Sequence, residues 1–467
     1  MEQPLTLSAA RRSDVGRSSA RVRTPGGAEL NRLDPTDRPA HDWYRFVLSF
    51  PPHLVREYLD KFGVHVGQQV LDPFCGTGTT LVECKKHGIP SVGVEANRMA
   101  SFASRVKVDW GVDPCGLREH ARHVAEVCDR GLEDDGVPDV PILGQYNGTA
   151  PRPDGLPGVS LELDKLLLAN SISPLPLHKT LALLKTLAKV AHPAFDGHER
   201  LALARSLVTT IGNLHFGPEV GVGAPKPDAP VVSAWLQAVL EMASDIESLQ
   251  HWAPVASKVH LADARSVLSV IEPNSIDAVF TSPPYPNEKD YTRTTRLESV
   301  LLGFISSKVQ LRELKRGLVR PNTRSVYKGD DDDRWVAKHT EIQRIADQIE
   351  ARRLELGKTS GFERLYAKTT KLYFGGMARH LADLRLALRL EHSSGMLGDQ
   401  ASYLRVMIRT GELLAGIAES LGYEVVGIEL FRSRLATATG EQLREEVVVL
   451  HWPGGTPRGN GCHDDWE

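Results

Sequence analysis

The chain has 467 residues, 41% of them hydrophobic and 25% charged. That length is about three typical domains of ~150 residues, and the balance excludes a disordered chain, a collagen or a small disulfide scaffold. The net charge of −3 conceals an asymmetry: residues 291–390 hold 21 Lys and Arg against 12 Asp and Glu, in an otherwise acidic chain. Such a segment suits either nucleic acid or a solvated helical surface.

In chain order, residues 1–40 carry seven arginines and no periodic apolar pattern, which predicts a disordered arm. The opening MEQPLTLSAARRSD lacks the apolar core of a signal peptide, and no run approaches the ~18 apolar residues of a membrane span. The fold is expected to begin at 41–60, where Pro51 and Pro52 suit a helix start and Leu54, Val55, Tyr58 and Leu59 recur at helical spacing. QQVLDPF then reads as a strand, CGTGTT as a tight glycine turn, TTLVECKKHG as a helix closed by Gly88, and SVGVEAN as a second strand. Together they make a β-loop-α-β unit, the start of a parallel sheet.

Residues 100–132 read as helical and 133–160, with five prolines, as a loop or linker. Helical patterns alternate over 161–250, interrupted by the loop 213–230. SKVHLA and SIDAVFT restart the sheet, and 297–390 read as mostly helical with a polar break at 322–333. SGMLGDQAS, YEVVGIELF and EEVVVLHW read as strands, with a helix at TGELLAGIAESLG. The last two strands suit an antiparallel hairpin on an otherwise parallel sheet. The tail from Pro453 reads as loose.

Two segments carry chemistry. The first is Asp72-Pro73-Phe74-Cys75-Gly76-Thr77-Gly78-Thr79-Thr80, between a strand and a helix. A glycine turn there lets backbone approach a ligand, and the helix start offers free N–H groups. It lacks the G-x-x-x-x-G-K-[ST] of a phosphate loop. Asp72 could accept a hydrogen bond from a ligand amino group. Glu95, 23 residues on at the end of the next strand, is placed to hold ribose hydroxyls. A plain tight turn with a structural aspartate would look similar.

The second is Thr281-Ser282-Pro283-Pro284-Tyr285, directly after an apolar strand. Two prolines stiffen the backbone where open α/β sheets bind ligands. Ser282 Oγ and the Pro283 carbonyl can accept from a planar amine, and Tyr285 can stack on its ring. An ordinary proline turn with a packing tyrosine is the alternative.

Together these motifs resemble the amino-group DNA methyltransferases, the S-adenosylmethionine-dependent enzymes that modify N4 of cytosine or N6 of adenine. The resemblance implies a Rossmann-like α/β core with a mostly parallel sheet, an antiparallel C-terminal edge and two helical insertions. The core would comprise a cofactor part (41–110), a catalytic part (255–296) and a C-terminal part (373–452). Between them lie a helical insertion (111–254) and a basic helical insertion (297–372), the candidate for target recognition. The arm (1–40) and a tail (453–467) flank them.

It further implies S-adenosylmethionine as cofactor, held by Phe50, Asp72, Phe74, Gly76, Thr77, Gly78, Thr79, Thr80, Glu95 and Asp263. Ser282, Pro283, Pro284 and Tyr285 would be catalytic. The implied partners are double-stranded DNA and a restriction endonuclease of the same system. Ser-Pro-Pro-Tyr leans towards cytosine N4 in this family, whereas Asp-Pro-Pro-Tyr leans towards adenine. Here the cofactor motif precedes the catalytic one, the reverse of the common order for the serine form.

Arg293, Arg296, Arg312, Lys315, Arg316, Arg320 and Arg324 are the candidate phosphate contacts. The five cysteines (Cys75, Cys84, Cys115, Cys128, Cys462) show no disulfide or zinc spacing, which suits a reducing, cytoplasmic setting. Cys75 reads as a packing residue and Cys115 as a poor candidate nucleophile. Asp330–Asp333 read as a solvated loop. No metal site is expected. The loop Phe216–Glu219, with Lys226 and Asp228, either approaches substrate or joins helices.

Overall fold

The structure, a computed structural model, describes residues 33–45, 49–139, 158–216, 220–390, 392–399, 401–435 and 442–454. Eleven strands occur among them: β1 (Val70–Asp72), β2 (Ser91–Glu95), β3 (Leu214–Phe216), β4 (Val220–Val222), β5 (Ser257–Leu261), β6 (Ala278–Thr281), β7 (His392–Asp399), β8 (Ala401–Tyr403), β9 (Val406–Ile408), β10 (Glu424–Leu435) and β11 (Gln442–Trp452). Seven of these form one sheet in the order β10-β11-β7-β6-β1-β2-β5. From β5 to β7 all pairings are parallel, and β11 runs antiparallel to both β7 and β10. The expected C-terminal hairpin is present. Its reversed strand, β11, lies one place inside the edge strand β10.

β1 and β6 are buried at every position, as expected of parallel strands covered on both faces. Their alternate side chains serve two cores. Val70, Ala278 and Phe280 pack with Leu54, Val55, Tyr58 and Leu59 of the helix Pro52–Lys61. Leu71 and Val279 face Phe374, Met377 and Leu381 of the helix Tyr366–Ala387.

The segment 111–254 contributes the helices Pro114–Asp134, Pro174–Lys189, Asp196–Ser206 and Val232–Leu249. They share one apolar cluster with the helix Arg98–Lys107 that follows β2. In 297–372, the helix Thr340–Glu355 packs Ile342, Ile345 and Ile349 into the core around Tyr366–Ala387.

Four readings change. Residues 33–40 of the expected arm fold onto the core. Asp34 caps the turn through Thr36 N, Arg56 pairs with Asp37 at 2.9 Å, and Leu33 and Ala40 are buried. The rest of the arm, 1–32, lies outside the described residues, as do 140–157 of the linker and the tail beyond Gly454. The helical stretch 100–132 is broken at 108–113, because Asp113 caps a new helix through Cys115 N and Gly116 N with Pro114 in its first turn. The loop 213–230 contains the β3–β4 hairpin. In it Lys226 Nζ is held by the Thr210 and Gly212 carbonyls and Asp228 by buried Lys179, so both residues join structure; Gly217–Glu219 lie outside the described residues. The acidic run is not simply solvated. Asp330 pairs with Arg320 at 2.9 Å, and buried Asp332 pairs with Arg265 at 2.5 Å.

Candidate active site

The two motifs leave neighbouring parallel strands at the same end. Val70 and Leu71 of β1 pair with Ala278 and Val279 of β6, so the glycine turn and the Ser-Pro-Pro-Tyr loop start side by side. β2 and β5 extend the sheet on one side of β1, while β6 and β7 extend it on the other. Chain order therefore reverses at β1, where open α/β sheets form a ligand crevice.

Asp72 supports the turn from beneath. Its side chain is fully buried, with Phe74 N (3.1 Å) and Thr281 Oγ1 (2.6 Å) donating to Oδ1 and Thr80 Oγ1 (2.7 Å) to Oδ2. The expected bond to a ligand amino group gives way to this internal role. Burial pushes the Asp72 carboxyl up to about 6, against the pull of the two threonine hydroxyls.

Both glycines of the turn have positive φ, +51° at Gly76 and +85° at Gly78, but for different ends. A Cβ on Gly78 would lie 2.5 Å from Ser104 Oγ, so this glycine seats the turn against the helix Arg98–Lys107. A Cβ on Gly76 would meet only the Phe74 carbonyl at 4.0 Å, so the space in front of it is open to a ligand. Thr77 is buried, with Ser49 Oγ 3.4 Å from its hydroxyl, and Thr79 and Thr80 are buried in the first turn of the helix Thr79–Lys86. Cys75 is a packing residue, as expected. It is buried beside Ser104 and its thiol is pushed far up by burial.

Glu95, half-buried at the carboxyl end of β2, accepts Gly76 N at 2.9 Å and Asn97 N at 2.7 Å. Burial raises its carboxyl to about 7. Asp263 follows β5 and caps the next turn through Arg265 N, while Arg265 grips it at 2.6 Å. Sequence reasoning missed this arginine and its buried partner Asp332. An Asp two residues before an Arg gave no signal of a partner 67 residues away. Phe50 packs edge-on against Phe280 with ring centres 5.5 Å apart, and Phe74 likewise against His380 at 4.9 Å.

The loop after β6 is ordered by its own backbone and one tyrosine. Tyr285 N donates to the Tyr291 hydroxyl at 3.0 Å, Asn287 N to the Tyr285 carbonyl at 2.8 Å, and Ser282 Oγ to the Tyr285 hydroxyl at 3.4 Å. Pro283 is buried, while Ser282, Pro284 and Tyr285 are half-buried. The Asn287 side-chain oxygen is buried with no hydrogen-bond partner among the described residues.

The structure divides the basic candidates. Arg320 is buried against Asp330 and the carbonyls of Lys315 and Leu318, and Lys315 is buried against Asp290. Arg296 is bound to Thr292 and the Leu166 carbonyl. Arg293 is half-buried. Arg312, Arg316 and Arg324 are exposed, with Arg316 over the Tyr327 ring at 5.4 Å and Arg324 over Phe362 at 5.7 Å. Only Arg312, Lys315 and Arg316 share a helix, Lys308–Arg316, while Arg293 and Arg296 sit on two other short helices and Arg320 and Arg324 lie beyond it. No group of His, Cys, Asp and Glu that could hold a metal occurs among the described residues, and no described helix is long and apolar enough to cross a membrane.

This is a Rossmann-like α/β architecture, with a mostly parallel sheet and an antiparallel strand pairing at its C-terminal edge. A DNA methylase family profile matches residues 29–101, which include the glycine turn and Glu95. The Type II methyltransferase M.BsoBI of Geobacillus stearothermophilus is 29% identical over 291 residues, covering 59% of this chain and 55% of that protein. The Type II methyltransferase M.AvaI of Nostoc sp. is 24% identical over 415 residues, covering 83% of this chain and 80% of that protein. A tRNA (guanine(10)-N2)-dimethyltransferase of Methanothermobacter thermautotrophicus is 32% identical over 94 residues, covering 20% of this chain and 23% of that protein. The match thus spans about half of M.BsoBI and four-fifths of M.AvaI. The chain is similar to a DNA methylase family profile over its glycine-turn segment and to Type II methyltransferases over longer stretches.

Proposed function

We propose that the protein transfers a methyl group from S-adenosylmethionine to the exocyclic N4 amino group of cytosine in double-stranded DNA, by base flipping and direct transfer. The observation that carries this reading is the Ser282–Tyr285 loop at the end of β6, fastened beside the glycine turn of β1.

The residues present fit the cofactor. Open space lies in front of Gly76, and the half-exposed carboxylates of Glu95 and Asp263 stand at the ends of the next two strands. Glu95 would hold the ribose hydroxyls and Asp263 the adenine end, with Phe50 and Phe74 lining the cleft. When bound, the cofactor supplies an electrophilic sulfonium methyl group.

The target base must leave the duplex, at a cost of a few kcal/mol of unstacking. Stacking on Tyr285 returns about 1–3 kcal/mol. The amine lone pair is delocalised into the ring, so the nitrogen is a poor nucleophile. Ser282 Oγ and the Pro283 carbonyl accept its two N–H groups and draw the nitrogen towards a tetrahedral form. No covalent enzyme intermediate is needed, and positioning supplies most of the rate.

The serine form of the tetrapeptide favours cytosine. N6-adenine in DNA and an amino group in RNA are the enzyme alternatives, and an inactive nucleic-acid-binding protein of this fold is the alternative without catalysis. Nucleoside mass spectrometry of DNA and RNA treated with protein and S-adenosylmethionine separates them. N4-methylcytosine in DNA is expected. N6-methyladenine would change the base, methyl groups in RNA alone would change the substrate, and no methylated product would leave a binding protein. A restriction endonuclease of matching sequence specificity is the expected partner in the host.

A further inference from the structure

We propose that Glu288 is a positioning residue for methyl transfer, latching the loop that carries Ser282–Tyr285 to the basic insertion so that the two move as one unit. The inference rests on the methyltransferase reading above and adds to it the coupling between target-binding surface and catalytic loop.

Glu288 stands three residues after Tyr285 with φ +63°, a left-handed conformation that a residue bearing a Cβ adopts only when its surroundings hold it there. What holds it is the insertion. Glu288 Oε1 accepts Thr323 N at 3.0 Å and the Tyr403 hydroxyl at 3.4 Å, and Oε2 accepts Thr323 Oγ1 at 2.8 Å. The Glu288 N–H donates to the Pro321 carbonyl at 3.2 Å. The next two residues repeat the grip. The Lys289 carbonyl accepts Asn322 Nδ2 at 2.8 Å, and Asp290 pairs with buried Lys315 at 2.7 Å. Asp290 also caps the helix Tyr291–Thr294, whose first residue accepts the Tyr285 N–H. The contacts therefore run without a break from Thr323 through Glu288 and Asp290 to Tyr285.

The insertion residues that grip the loop adjoin those that face outward. Lys315 and Thr323 point inward, while Arg316 and Arg324, each one peptide bond away, are exposed. A phosphate taken by these arginines pulls directly on the segments that hold the catalytic loop. Glu288 faces Arg324 and Tyr403, with Tyr366 stacked on the Tyr403 ring at 4.7 Å, so its carboxylate closes a junction of loop, insertion and the β8–β9 hairpin.

The test uses the full chain and three variants. Glu288→Gly removes the latch yet suits a positive φ, so it separates the side-chain role from backbone strain. Glu288→Gln keeps an acceptor for Thr323 N and is the conservative rescue. Thr323→Val removes one donor. Single-turnover transfer of labelled methyl to duplex DNA should fall roughly 10- to 100-fold in Glu288→Gly, the scale expected when a reacting group is misplaced. S-adenosylhomocysteine affinity should stay within about twofold, since only the transfer step is touched. Glu288→Gln should recover most of the rate and Thr323→Val should lie between. Amide hydrogen exchange over residues 284–291 should quicken in Glu288→Gly more than elsewhere.

Wild-type turnover in Glu288→Gly overturns the proposal. So does a parallel loss of transfer, cofactor affinity and thermal stability, and so does a Glu288→Gln variant as impaired as Glu288→Gly. Failure of the wild-type chain to methylate DNA would instead overturn the parent reading. Hydrogen exchange then judges the latch by itself, and unchanged protection of 284–291 in Glu288→Gly overturns it.

Discussion

The Thr281 hydroxyl donates to Asp72 Oδ1 at 2.6 Å, and this bond joins the ends of the two strands that carry the candidate chemistry. Thr80 fills the other oxygen of the same carboxylate, so the glycine turn, the helix after it and the strand before Ser282 share one buried acceptor. The proposed binding turn and the proposed catalytic loop are thereby held in one geometry.

Thr281→Val should cost about 1–3 kcal/mol, because a buried carboxylate loses a donor it cannot replace with water. Asp72 titrates at about 6, and the lost bond serves its ionised form. The deficit should therefore be larger at pH 8 than at pH 5, where Asp72 carries its own proton. Urea unfolding of wild type and variant at the two pH values measures it, and an equal deficit would show that the hydroxyl supports packing alone.

Cofactor affinity should fall as the solution is acidified through pH 7. Glu95 is held up at about 7 by burial, and the proposed ribose contact calls for its ionised form, the better acceptor of hydroxyl hydrogen bonds. Below that value binding must first remove a proton, so affinity drops by up to about tenfold per pH unit. In the free protein the sign is opposite. A carboxyl raised above its ordinary 4.5 favours folding while protonated, and that contribution is lost as pH rises through about 7. Calorimetry with S-adenosylhomocysteine from pH 6 to 8 should show the slope in wild type. Glu95→Gln should bind weakly and without it.

The two glycines of the turn should respond differently to alanine. Gly78→Ala drives a Cβ into Ser104 and should lower stability first. Gly76→Ala projects into open space on the ligand side and should lose cofactor affinity with a stability cost near the ~1 kcal/mol of a non-glycine residue at positive φ. Paired thermal unfolding and cofactor titration distinguish them. Equal profiles for the two variants would mean that the turn acts only as a scaffold.

Much of this architecture was legible because its signals are local. Strand, turn and helix at 70–86 follow from an apolar run, two glycines and a helix pattern within some twenty residues. The Pro-Pro loop announces itself in four. What escaped depends on distance along the chain. Asp72 serves Thr281, 209 residues away, and Arg265 serves Asp332, 67 away. Neither pair leaves a mark in spacing or periodicity. The acidic run Asp330–Asp333 misled for the same reason, since adjacent charges resemble a solvated loop until buried arginines fold against them.

The basic insertion should separate into arginines that meet DNA and arginines that hold the fold. Arg316 and Arg324 are exposed beside aromatic rings, so each can give a phosphate contact at little structural cost. Replacing both with Ala should weaken duplex binding and flatten the log–log dependence on salt by about 0.9 per lost contact, nearly uniformly across sequences. Arg320 is buried against Asp330 and two backbone carbonyls. Arg320→Ala leaves that carboxylate buried without its cation and should cost about 3–5 kcal/mol of stability. Its effect on DNA should follow unfolding rather than phosphate contact, so at a temperature where the variant remains folded its salt slope should match wild type. Equilibrium binding to a labelled duplex across roughly 50–300 mM salt, over which the Debye length shortens about 2.4-fold, reads both arms. A slope unchanged by Arg316→Ala and Arg324→Ala would remove this surface from the DNA interface, and a slope reduced by Arg320→Ala in folded protein would place the buried cation in it.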